Sequence, residues 1–134
     1  MVLNILETLI KEIKLFKIKK YNMTQEQFEE YKLIHNFLYP NDPLKPWINK
    51  TNIINLFKED WNELMLVVDK IHNLKPKTNV SISDHHCYIY LVYTEDRKKV
   101  EINDWHIINA KKSTIEVTYE AILEFIKWYN KQKQ

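Results

Sequence analysis

Along the first segment of the chain Leu3, Leu6, Leu9, Ile10, Ile13 and Phe16 recur at intervals of three or four, with Lys11, Glu12, Lys14 and Lys17 largely between them. That spacing gathers the apolar side chains onto one stripe of a helix. A second helix is predicted from Thr24, where Gln27 completes a T-x-x-Q capping box and Met23 can staple onto Phe28; its stripe is Phe28, Tyr31, Ile34 and Leu38. Pro40, Pro43 and Pro46 then prevent helical propagation, because each lacks a backbone donor and restricts the residue before it. Trp47 through Phe57 fits either a short helix or irregular packing. Asp60 followed by Glu63 gives the next start signal, and Trp61, Leu64, Met65, Val68 and Ile71 follow on one face.

Beyond Pro76 the period changes to two. Val80 and Ile82, then Cys87, Ile89, Leu91 and Tyr93, alternate with Tyr88, Tyr90 and Val92, as strands do. Glu95 to Lys99 reads as a charged turn and Val100 to Ile108 as the returning strand. With no glycine in the chain, the tightest hairpin turns are disfavoured and a longer loop is expected there. Ser113 with Glu116 forms a final capping box, ahead of a stripe of Ile115, Tyr119, Ile122, Phe125, Ile126 and Tyr129. The predicted fold class is α+β: about four helices packed on one face of a small antiparallel sheet of about three strands. A single domain spans residues 1–134, with a helical N-terminal part to residue 40, a loop-rich stretch over 41–59, and a helix, hairpin region and C-terminal helix over 60–134.

Composition sharpens this mainly by exclusion. The missing glycines remove any Walker loop or G-x-G-x-x-G turn, since both bring backbone against phosphate where a Cβ does not fit. Lysine outnumbers arginine nineteen to one, and with abundant Ile and Asn this points to an AT-rich coding sequence. A formal net charge of +2 supplies no strong field for nucleic acid or an anionic membrane. Lysines crowd the N-terminal segment at Lys11, Lys14, Lys17, Lys19 and Lys20, while Glu116, Glu120 and Glu124 sit near the other end. Cys87 is the single cysteine, so neither an internal disulfide nor an all-cysteine zinc site can form. Charges interrupt the N-terminal apolar residues, unlike a signal peptide, and no apolar run approaches the roughly 18 residues of a membrane span. A cytoplasmic location with no membrane partner is therefore expected, and the sequons at Asn22, Asn49 and Asn79 carry no meaning without secretion.

Candidate chemistry is sparse. Asp84-His85-His86-Cys87 spells the signature of membrane palmitoyltransferases, but the transmembrane helices and cysteine-rich zinc framework of those enzymes are missing. His72, His85, His86, His106 and Asp84 include metal-competent donors. Adjacent His85 and His86 would diverge in a strand, however, and although His106 could pair across the hairpin with one of them, a third ligand has no obvious source. No metal, cofactor or catalytic residue is predicted. Cys87 reads as a small buried hydrophobe. The paired acids Glu29–Glu30 and Glu59–Asp60 lack an apolar pocket to split their pKa values. Candidate binding residues are Arg97, Lys98 and Lys99 at the predicted hairpin tip, with Tyr88, Tyr90 and Trp105 on the strands, which together resemble a stacking platform for single strands. Trp128, away from the main stripe of the last helix, is a further candidate anchor for a partner.

Two strings carry a family resemblance: Trp61-Asn62-Glu63-Leu64-Met65-Leu66-Val67-Val68-Asp69-Lys70-Ile71, and Ile115-Glu116-Val117-Thr118-Tyr119-Glu120-Ala121-Ile122-Leu123-Glu124-Phe125-Ile126-Lys127-Trp128-Tyr129-Asn130. They resemble the W-x-x-L-M-x-V-V-[DE]-K-I and I-E-x-x-[YW]-x-A-x-x-x-F-I-K-W-Y signatures of uncharacterised small proteins from phages and prophages of Bacteroidetes. The resemblance covers residues 55 to 130, and Leu66 stands where that family often has proline. It implies context in place of chemistry: a non-enzymatic accessory protein, in the cytoplasm of a bacterial host, acting by binding, with counter-defence as one implied role. Host proteins or a small nucleotide signal are the implied partners, and a homo-oligomer the implied assembly. A single-stranded nucleic-acid binder is the alternative expectation, and a small metal-dependent hydrolase using His86 or His106 the second alternative.

Overall fold

The computed structural model describes residues 4–11, 23–75, 77–91 and 104–132. In chain order these form α1 (residues 4–11), α2 (Gln25–Leu38), a 3-10 turn at Leu56–Lys58, α3 (Trp61–His72), β1 (Thr78–Ser83), β2 (His86–Leu91), β3 (Asp104–Ile108) and α4 (Thr114–Gln132). The expected charged turn at Glu95 to Lys99 lies outside the described residues, as do Ile13, Phe16 and Tyr93. The α+β architecture stands as read from the pattern: four helices and an antiparallel three-stranded sheet in the order β1-β2-β3.

Three predicted start signals act as caps. Thr24 Oγ1 accepts from the Gln27 N–H at 3.1 Å, while Gln27 Oε1 accepts from the Thr24 N–H at 3.0 Å. Ser113 and Glu116 repeat the exchange at the head of α4, at 3.3 and 3.4 Å. Asp60 accepts from the Asn62 N–H at 2.8 Å. Each cap satisfies helix donors that have no partner within the helix, typically stabilising by ~1 kcal/mol. Met23 and Phe28 are both buried, as a staple requires. At the other end of α2 the Lys70 ammonium donates to the Phe37 and Leu38 carbonyls, a cation closing a helix C-terminus just ahead of Pro40.

The core forms between the helices and one face of the sheet. Leu64, Val67, Val68 and Ile71 from α3 meet Ile34 and Phe37 from α2 and Val117, Ile122, Phe125 and Ile126 from α4. Cys87 and Ile89 close it from β2. The buried stripe of α3 is rotated from its predicted position: Val67 is fully buried, whereas Trp61 and Met65 are 39% and 38% exposed at its flank. Residues i, i+3, i+4 and i+7 counted from Leu64 make a complete apolar face, so Trp61 and Met65 are not needed to fill it. At the outer edge of β1, His72 Nε2 accepts from the Val80 N–H at 3.0 Å, which blocks a donor that would otherwise template another strand. In α1 the amphipathic pattern does not report burial, since Leu6, Leu9 and Ile10 are exposed.

The β1–β2 connection is a two-residue turn, Asp84-His85, between the paired Ser83 and His86. His85 takes φ 56°, the left-handed region that costs a non-glycine residue roughly 1–2 kcal/mol. Contacts with the head of α4 hold it there. The His85 N–H donates to Thr114 Oγ1 at 3.1 Å, its Nδ1 meets the Lys112 carbonyl at 2.6 Å, and its carbonyl accepts from the Asn109 N–H at 3.1 Å. Of the palmitoyltransferase-like string, Asp84 and His85 thus form a strained turn, while His86 and Cys87 begin β2.

Candidate binding face of the sheet

Because side chains alternate across a strand, the residues between the core positions project from the opposite side of the sheet. Register arranges them in three rows. Ser83, His86 and Ile108 form one row; Ser81, Tyr88 and His106 the next; Asn79, Tyr90 and Asp104 the third. None of these nine belongs to the core or to the partly buried hydrophobics packed against it.

The rows are tied to one another. The Tyr88 and Tyr90 rings stack with centroids 4.9 Å apart and planes at 27°. Tyr88 donates its hydroxyl to Asp104 Oδ2 at 3.0 Å, and the Tyr90 hydroxyl accepts from Asn79 Nδ2 at 3.2 Å, so both phenols have fixed ends. His106 lies edge-on to Tyr88, with centroids 5.1 Å apart, and next to His86, with centroids 4.5 Å apart. The Nε2 atoms of His86 and His106 face each other in hydrogen-bond contact, and His86 Nδ1 lies 2.8 Å from Ser83 Oγ. No lysine or arginine occupies any of the nine positions, and Asp104 is their single carboxylate.

The predicted site residues are divided by this geometry. Tyr88 and Tyr90 share the open face. Trp105, one residue from His106, points to the other side and packs in the core, with its ring 5.0 Å from Phe125 and 5.1 Å from Trp128. The strand's two-residue period separates Trp105 from the tyrosines it was grouped with. Trp128 is half-buried against Trp105 and Phe125, on the wall of a shallow apolar cleft of about 110 Å³ that also involves Leu74, Thr78, Leu91 and Tyr129. A second cleft, between Phe37, Lys70 and Tyr129, is about 100 Å³. Both fall well short of the roughly 300–1,000 Å³ of an ordinary ligand pocket, so neither would enclose a nucleotide. Arg97, Lys98 and Lys99 lie outside the described residues.

Other chemically interesting groups are occupied by the fold. Burial pushes the Cys87 thiol up to about 11, only partly offset by a hydrogen bond with Thr118, so it stays protonated and inert at neutral pH. Of the acid pairs, Glu29 accepts from Gln25 at 2.9 Å, Glu30 accepts from the Tyr119 hydroxyl at 2.9 Å, and Asp60 caps α3. Tyr119 also accepts from Asn55 Nδ2 at 2.9 Å, which links α2, the loop before the 3-10 turn and α4; burial, foremost, raises its phenol above the usual range. Sequence reasoning grouped His106 with either of two adjacent histidines. The signal that selects His86 is pleat parity, which places it with Tyr88 and, across the ladder, with His106. Among the described residues no three His, Cys, Asp or Glu side chains converge as metal donors, and no helix is long and apolar enough to cross a membrane. No family model, curated protein or solved structure matches the chain.

Proposed function

We propose that this protein is a non-enzymatic binding protein, of the phage or prophage accessory kind its helix motifs resemble, and that it binds a protein partner through the open face of its sheet. The observation that carries the proposal is the composition of that face. In a chain with twenty Lys and Arg, the nine positions hold two stacked tyrosines, two histidines, two serines, an asparagine, an aspartate and an exposed isoleucine, with no Lys or Arg among them. Protein interfaces are enriched in Tyr and depleted in Lys, and tyrosine with serine and asparagine is the chemistry of antibody recognition surfaces. Two tyrosines with hydrogen-bonded ends offer large contact area at low entropic cost. Host defence proteins in the bacterial cytoplasm are the partners that the resemblance implies.

Single-stranded nucleic acid is the second reading, favoured by the same stacked pair. It is weaker because phosphate neutralisation dominates such binding, and the described part of the face offers a carboxylate and no cation. The test is capture from a Bacteroidetes host lysate by the wild-type chain and by Tyr88→Ser/Tyr90→Ser, alongside titrations with oligonucleotides and cyclic nucleotides at low and high salt. A defined protein captured by wild type and lost in the double variant supports the proposal. Salt-sensitive oligonucleotide binding that requires Lys98 and Lys99 would replace it with the second reading.

A further inference from the structure

The facing histidines on the first two rows present two Nε2 atoms to each other, an arrangement satisfied either by one proton held between them or by one ion that accepts both lone pairs. A neutral imidazole has one N–H and one lone pair. Two Nε2 atoms in contact are compatible only if one is protonated; if both present lone pairs, they repel unless something between them accepts both. We propose that His86 and His106 form a bidentate site for a divalent transition-metal ion of the zinc or nickel class, with its remaining coordination positions open to solvent.

Three features of the surroundings fit this assignment. Ser83 Oγ lies 2.8 Å from His86 Nδ1; in the tautomer with its proton on Nδ1, His86 donates to that oxygen and keeps its lone pair on Nε2, the arrangement by which outer-shell partners orient ligating histidines. His106 is held from its flank by the Tyr88 ring, whose hydroxyl is in turn tied to Asp104. The two rings come from neighbouring strands in fixed register, with Tyr88 opposite His106 and His86 one pleat further along, so their separation is set by the sheet. An ion at about 2.0–2.1 Å from each nitrogen needs only a small opening of the two side chains. Imidazole is a borderline donor suited to zinc, nickel and copper, and unsuited to magnesium or calcium. With no third protein donor converging among the described residues, the site is an open one and not a closed structural tetrahedron.

The inference is independent of what the tyrosine rows bind. It is tested by titrating Zn²⁺, and separately Ni²⁺, into the full chain by calorimetry, with the histidine ring resonances followed by NMR during the Zn²⁺ titration and native mass measured at the end point. The expected result is one ion per chain in an unchanged oligomeric state, with the His86 and His106 signals shifted and those of His35 and His72 unmoved. His86→Gln and His106→Gln should each weaken binding at least about tenfold, and Ser83→Ala by about tenfold through loss of the outer-shell bond. Both histidines lie at the surface, so unchanged melting of the variants separates loss of ligands from loss of fold. Failure of both ions to bind saturably overturns the proposal, as does undiminished affinity in either histidine variant. Half an ion per chain in a newly formed dimer also overturns it, because the site would then be a closed one shared between copies.

Discussion

The two faces of the sheet are made by the same three strands and differ in nearly every physical respect. On β2 the sequence His86-Cys87-Tyr88-Ile89-Tyr90 alternates between them: Cys87 and Ile89 are completely buried under the helices, while the two tyrosines and His86 keep part of their surface. The covered face is apolar, and its energetics follow from area removed from water. The open face is aromatic and polar, and its side chains are ordered by hydrogen bonds along and across the strands. Residues that secure the fold and residues available for recognition thus interleave one by one along the chain. The helix-bearing face carries the buried core, and the other face is the one proposed above for recognition.

This comparison can be broken most decisively by truncation on either side. Phe125→Ala, in the covered layer, should cost about 3–5 kcal/mol in denaturant unfolding, the transfer and cavity penalties together. Tyr88→Ser should cost within about 1 kcal/mol, since it removes one cross-strand contact and one exposed hydrogen bond. Equal losses would mean that the open face is part of the core. Between these extremes, Tyr119→Phe should destabilise by about 1–3 kcal/mol, because it deprives Glu30 and Asn55 of their shared partner inside the protein. His85→Val should cost roughly 1–2 kcal/mol by placing a β-branched residue at positive φ, whereas His85→Asn should be much milder; comparable melting of the two would remove the strained turn from the account.

A smaller effect comes from pH. The Cys87 thiol is raised from 9.0 to about 11 by burial, so above pH 9 the unfolded chain releases this proton before the folded one. Stability contributed by the buried neutral thiol is therefore complete below pH 9 and declines as pH rises towards about 11. Cys87→Ala should flatten that part of the stability profile, and an unchanged slope would show that the thiol is not sequestered.

Most of the covered layer was legible in the sequence because each element declares itself locally. Thr24, Asp60 and Ser113 mark helix starts by side chains that cap within three residues, and spacing alone places Tyr119, Ile122, Phe125 and Ile126 of α4 in the core, although Val117, Thr118, Ala121 and Leu123 are buried beside them. What was not legible depends on partners distant in the chain. The rotation of α3 is settled by which neighbours fill the core, and α1 carries an amphipathic stripe whose apolar side chains stay exposed. The tight turn at Asp84-His85 forms against local propensity because Lys112, just before α4, and Thr114, at its head, hold it. Among the candidate binding residues, Tyr88, Tyr90 and Trp105 are grouped by proximity in sequence, whereas pleat parity leaves the two tyrosines on the open face and turns Trp105 against the core. The pairing of His86 with His106 required the register of β2 on β3, which no single strand specifies.

The claim that recognition belongs to the open face is tested most directly by comparing partner capture between Tyr88→Ser/Tyr90→Ser and Trp128→Ser, with melting measured for both. The account predicts that the tyrosine pair abolishes capture while leaving melting close to wild type, and that Trp128→Ser lowers melting but leaves capture by the folded protein intact. Capture that survives loss of both tyrosines and is lost with Trp128 would contradict it, and would move the binding surface to the helical side.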